Sequence, residues 1–145
     1  MATEPKKNKI IQVFMVEDTP DDIELTLEAF KESNREFNVN VAQDGIEAMK
    51  YLRQEDEFTH RPHPDLILLD LNMPRMNGFE VLEEINRDEK LKNIPVVVLS
   101  ISQSENDMAK VKNLHAKAYI VKPTGLDGLF EIIKRLVAIV EANER

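Results

Sequence analysis

Five short apolar runs punctuate the chain, at residues 10–16, 37–42, 66–69, 96–99 and 118–121. Leu66-Ile67-Leu68-Leu69 and Val96-Val97-Val98-Leu99 show no polar alternation, the pattern required of strands covered on both faces. Strands of that kind belong to a parallel sheet. Amphipathic stretches separate the runs. Thr19-Pro20-Asp21-Asp22 offers a hydroxyl for an N-cap, a proline for the first turn and two acids for the positive end of the helix dipole. Ile23, Leu27 and Phe30 follow at spacings of four and three. A second helix is expected from Gly45 through Tyr51 and Leu52, a third carrying Phe79, Val81, Leu82 and Ile85, and a fourth carrying Met108, Val111 and Leu114. The last is the most regular, with Leu126, Leu129, Phe130, Ile133, Leu136, Val137 and Val140 on one stripe. Its apolar width extends to Ile132 and Ile139, which implies deeper burial or a partner surface.

Five βα units in succession specify a doubly wound α/β fold. The expected form is a flavodoxin-like (βα)5 sandwich around a five-stranded parallel sheet of order 2-1-3-4-5, since right-handed crossovers commonly wind that way. The 145 residues suit one domain. We expect a polar leader at residues 1–9, one domain at 10–141 and a short tail at 142–145, with no room for an output domain. The leader carries three lysines and no apolar core, unlike a secretory signal. No apolar run approaches the roughly 20 residues needed to span a bilayer. Residues 54–64, with two histidines and two prolines, form an unusually long connection. His60 and His63 read as part of a solvated loop, because they offer no rigid ligand geometry. His115 suits the C-terminal end of the fourth helix.

Charge narrows the partners. Nineteen basic and 27 acidic residues give a net charge of −8, which repels nucleic acid and favours a cation or a basic protein surface. The absence of cysteine excludes disulfides and thiolate chemistry, and points to a cytoplasmic protein.

In a parallel sheet all strand C-termini share one edge, and ligands bind there. The first strand ends in Glu17 and Asp18, the third in Asp70, the fourth in Ser100 and the fifth in Lys122. Each has an ordinary explanation taken singly: a cap, a turn, a loop hydroxyl, a surface lysine. Their convergence on one edge does not. Clustered carboxylates repel, so their pKa values rise or a cation neutralises them. An oxygen-only site suits Mg²⁺ better than zinc. Asp70 is then a candidate nucleophile able to take a phosphoryl group. Lys122 would pair with the new charge, and the Ser100 hydroxyl would donate to a phosphoryl oxygen.

The stretch DLILLDLNMPRMNGFEVL, the acid pair in VED, the serine after VVVL and the lysine in AYIVKP resemble the receiver domain of two-component response regulators. The resemblance spans about residues 10–140. It implies a phosphorylatable Asp70 served by a sensor histidine kinase, and Mg²⁺ held by Asp18, Asp70 and the Asn72 backbone carbonyl, with Glu17 assisting through water. It also implies a switch formed by Ser100 and Tyr119, with Tyr119 turning inward on activation, and a cis proline at Pro123. The HPDLILLDLNMPRMNGFEVL block is most similar to stand-alone regulators that partner bacterial phytochrome kinases. Three positions depart from the common pattern: Glu17 stands for the first aspartate, Ile101 for a small residue after the switch serine, and Thr124 for an aromatic after Lys122-Pro123. Ile101 is expected to slow the approach of attacking water.

Phosphorylation would draw Ser100 and Lys122 inward and repack the surface of the fourth helix, fifth strand and fifth helix, where a homodimer or an unknown downstream target could dock. Such a protein catalyses only its own phosphorylation and dephosphorylation. Two rivals stand beside this reading. An aspartyl-phosphate phosphatase or phosphotransferase would usually need a carboxylate two residues after the nucleophile, where Asn72 stands. A phosphorylation-independent scaffold would have no use for Asp70, Ser100 and Lys122 together. Nucleotide binding lacks a phosphate-cradling glycine motif.

Overall fold

The structure, a computed structural model, describes residues 9–144. Residues 1–8 of the expected leader and Arg145 of the expected tail lie outside the described residues. Strands β1 (Ile11–Val16), β2 (Phe37–Ala42), β3 (Leu66–Leu69), β4 (Val96–Ser100) and β5 (Ala118–Val121) alternate with helices α1 (Pro20–Lys31), α2 (Gly45–Leu52), α3 (Gly78–Arg87), α4 (Glu105–Asn113) and α5 (Leu126–Asn143). The sheet runs β2-β1-β3-β4-β5, parallel throughout. Fold class and strand order are those expected from the sequence. α5 continues to Asn143, past the expected boundary at 141.

Strand alternation divides the core into two layers. Phe14, Val16, Ile67, Leu69, Val96 and Val98 face the cluster that includes α2, α3 and Val111 of α4. Val13, Met15, Leu66, Leu68, Val97 and Leu99 face the other cluster with α1 and α5. Every residue of β3 and β4 is buried, which is why their sequences carry no polar alternation. Each such side chain contributes about 1.5–3 kcal/mol. Ile132 is buried and Ile139 packs against the second layer, so the extra width of α5 is burial rather than exposed surface.

Local chemistry sets the helix starts. Asp44 caps α2 by accepting from the Glu47 N–H at 2.8 Å. Asn77 and Glu80 form a reciprocal capping box on α3, and Ser104 caps α4. Thr19 stands at the α1 N-cap position, but its hydroxyl does not cap. Its N–H instead donates to the Glu17 carboxylate at 3.2 Å. His115 lies beyond the end of α4 with φ 66°, the left-handed position that often follows a helix. In the long connection, Asp56–Phe58 makes one 3₁₀ turn and Phe58 tilts onto Tyr51, which stacks on Phe14 at 4.0 Å. His60 and His63 are exposed. No described helix is long and apolar enough to cross a membrane.

Candidate functional site

Register fixes which side chains share the C-terminal edge. Val16 pairs with Leu69, and Leu69 with Val98, so Glu17, Asp18 and Asp70 emerge side by side. The Asp70 N–H donates to the Val16 carbonyl at 3.0 Å, and the Lys122 N–H to the Ser100 carbonyl at 2.8 Å. These bonds extend the strand pairing just beyond the formal strand ends and aim the next side chains at a common volume.

Oxygens of Glu17, Asp18 and Asp70 lie within 4.8 Å of one another. Glu17 is 4% exposed and Asp70 5%, so their charges are poorly screened by water. The Lys122 ammonium answers them. It lies 2.7 Å from Glu17, 2.9 Å from Asp22 and 3.7 Å from Asp70. Burial and the neighbouring Glu17 charge push Asp70 up to about 7, with a smaller upward push from Asp18, against the opposing effects of Lys122 and the Asn72 N–H. Burial disfavours the Lys122 cation, but bonds to Glu17 and Asp22 and the attraction of Asp70 outweigh it, so its pKa is raised. Glu17, Asp18 and Asp70 face one ammonium that is itself shared with a fourth carboxylate, Asp22, which leaves net negative charge to be neutralised. An all-oxygen donor set of this kind fits a hard divalent cation.

Ser100 is fully buried at the end of β4. Its hydroxyl oxygen accepts from the Ser102 N–H at 3.2 Å. Ser102 in turn accepts, through its carbonyl, the Tyr119 hydroxyl at 2.8 Å, and donates its own hydroxyl to Asp107 on α4 at 2.6 Å. Tyr119 is half-buried against the first core layer. One loop residue therefore joins Ser100, Tyr119 and the start of α4. Among the described residues no hydrogen bond joins the Ser100 hydroxyl to Asp70.

The structure brings the side chains of Glu17, Asp18, Asp70 and Lys122 together, and places the Asn72 backbone N–H against Asp70. Ile101 is 71% exposed. The expected cis proline is corrected: the described peptide bonds are all trans, Lys122–Pro123 included, the isomer that even an X-Pro bond favours by about 0.5–1 kcal/mol. Asp22 was missed by sequence reasoning. It reads there only as an acid at a helix start, whereas its partner lies 100 residues away along the chain.

Comparison with known proteins agrees with this geometry. Residues 13–134 match the response regulator receiver domain. The chain is 40% identical over 134 residues to response regulator Rcp1 of Synechocystis sp., covering 92% of this chain and 90% of that protein. The structure of the phosphorylated cyanobacterial phytochrome response regulator RcpA superposes with a TM-score of 0.82 at 48% identity, over 88% of this chain and 91% of that one. The Mn²⁺-bound form of Rcp1 gives a TM-score of 0.80 at 39% identity, over 87% and 91%. The chain belongs to the response regulator receiver family, and among its relatives are regulators of the phytochrome type.

Proposed function

We propose that this chain is a single-domain response regulator whose Asp70 accepts a phosphoryl group from a sensor histidine kinase. The observation that carries this is the buried Asp70 carboxylate set between Glu17, Asp18 and the Lys122 ammonium. Asp18, Asp70 and the Asn72 backbone carbonyl would hold Mg²⁺, with Glu17 acting through water. Bound there, Mg²⁺ supplies charge neutralisation for the incoming phosphoryl oxygens.

In the transfer, an Asp70 oxygen attacks phosphorus, the P–N bond of the kinase phosphohistidine breaks, and the imidazole nitrogen keeps the bonding pair. Water later hydrolyses the acyl phosphate, returning the carboxylate and inorganic phosphate. Lys122 shifts its contact from the carboxylates to the phosphoryl oxygens. The Ser100 hydroxyl donates to one of those oxygens, and its withdrawal from the Ser102 N–H loosens the loop that also anchors Tyr119 and α4. The signal leaves through the surface of α4, β5 and α5, which is where we place a homodimer contact or a downstream protein.

Similarity to RcpA and Rcp1 supports a phytochrome-type kinase as the phosphoryl donor. The test is phosphotransfer from such a kinase, autophosphorylated with radiolabel. Label should pass to the wild type in Mg²⁺ and not to Asp70→Asn. Equal labelling of both would move the acceptor elsewhere. Normal target binding by a chain that is never labelled would favour the phosphorylation-independent scaffold.

A further inference from the structure

The loop between Asp70 and α3 carries Asn72, and its far side is tied to a neighbouring helix. At its base the Gly78 N–H donates to the Leu71 carbonyl at 2.9 Å. The approach is so close that a Cβ on Gly78 would sit 2.3 Å from the Asp70 carbonyl oxygen. At its tip the Met76 carbonyl accepts the Gly45 N–H at 3.1 Å, and Gly45 is the first residue of α2. The tip also holds Arg75, in the left-handed region at φ 66°, a conformation uncommon for a residue with a side chain. Its guanidinium bonds to Asp44, the residue just before Gly45.

Asp44 is divided between two tasks. One oxygen, Oδ1, accepts from the Glu47 N–H and caps α2, while the other, Oδ2, meets Arg75. Its carboxylate is nearly buried, whereas the Arg75 side chain is 63% exposed. The carboxylate is thus fixed by the helix, and the arginine comes to it. Asp44 follows β2 at the same sheet edge as Glu17, whose N–H donates to the Ala42 carbonyl at 2.9 Å. It does not join the carboxylate cluster. The pair therefore ties the loop tip to the start of α2 and neutralises the capping carboxylate.

We propose that Arg75 and Asp44 are positioning residues for the divalent-cation site: their ion pair holds the β3–α3 loop against α2, which keeps the Asn72 backbone at the distance from Asp70 that the cation requires. Neither residue touches the cation. This inference rests on the metal site proposed above, and it makes the loop conformation, rather than the carboxylates alone, a determinant of affinity. Groups that orient ligands from outside the coordination shell commonly contribute about tenfold or more to metal affinity.

Calorimetric titration with Mg²⁺ tests it, comparing the wild type with Asp44→Asn, Arg75→Ala and the double variant. Asparagine still caps a helix, so Asp44→Asn removes the ion pair without removing the cap. Each single variant should bind Mg²⁺ roughly tenfold more weakly. The double variant should be no weaker than either, because both lose one shared interaction. Arg75→Lys should recover part of the affinity. At saturating Mg²⁺ both single variants should form the beryllofluoride adduct as the wild type does. Wild-type binding with unchanged affinity in both single variants overturns the latch alone, as do additive losses. A wild type that binds no Mg²⁺ overturns the metal site and the latch together.

Discussion

Lys122 is the residue on which the site's electrostatics turn. Its ammonium is shared by Glu17, Asp22 and Asp70, two of them buried. Removing it leaves carboxylates unopposed in a poorly hydrated edge, a change that destabilises by about 3 kcal/mol when a buried ion pair is broken. Lys122→Ala should therefore lower stability in EDTA by about that amount and recover much of it in Mg²⁺, read by urea unfolding in both buffers. Asp70 gives a second, pH-dependent signature. Its folded pKa of about 7 lies above the ordinary aspartate value, chiefly because of burial and then Glu17. The protonated form is favoured by folding, so the group's contribution is complete below about pH 4 and is lost as pH rises through about 7. Asp70→Asn cannot ionise and escapes that loss. In EDTA its stability advantage over the wild type should grow from about pH 5 to pH 8, reaching the order of 2 kcal/mol. A gap that does not change with pH would contradict the raised value.

At the scale of elements, β3 and β4 were legible because full burial leaves an unbroken apolar run, and α5 because its stripe is long. Glu17, Asp18, Asp70, Ser100 and Lys122 were legible for a topological reason: once strands are parallel, whatever follows each one lands on one edge. Asp22 and the Asp44–Arg75 pair were not. Their contacts join positions far apart in sequence, and the residue types are those that capping or solvation would also select. Thr19 misled for a related reason, since the cap position is filled but its hydroxyl makes no cap bond. The turn after β3 should be sensitive to bulk. Gly78→Ala would drive a methyl into the Asp70 and Leu71 backbone, destabilising by about 1–3 kcal/mol and weakening Asp70 chemistry, measurable by thermal unfolding and by phosphorylation rate. Asn77→Ala loses the α3 capping box and should cost about 1 kcal/mol with less effect on that rate. Ile101, 71% exposed, stands directly after Ser100. If it hinders water, Ile101→Ala shortens the acyl-phosphate half-life, followed by loss of label over time, and an unchanged half-life removes that role.

The whole molecule is one parallel sheet covered by helices on both faces, and it delivers its chemistry to a single sheet edge. The apolar alternation of β1, β3 and β4 commits each face to its own helices, and what remains at the strand ends is polar, acidic and answered by one lysine. A chain of net charge −8 thereby gathers part of its acidity where a divalent cation, not a nucleic acid, is the fitting counter-charge. The same edge connects from Ser100 through Ser102 to Tyr119 and α4, the route by which the proposed phosphorylation of Asp70 would reach the surface of α4, β5 and α5. The most direct test needs no kinase: incubation with acetyl phosphate and Mg²⁺, followed by intact mass and peptide mapping. The wild type should gain the mass of one phosphoryl group on the peptide containing Asp70, with no gain in EDTA or in Asp70→Asn. An unmodified wild type, or a phosphoryl group on any other residue, would contradict the assignment of Asp70 as the acceptor.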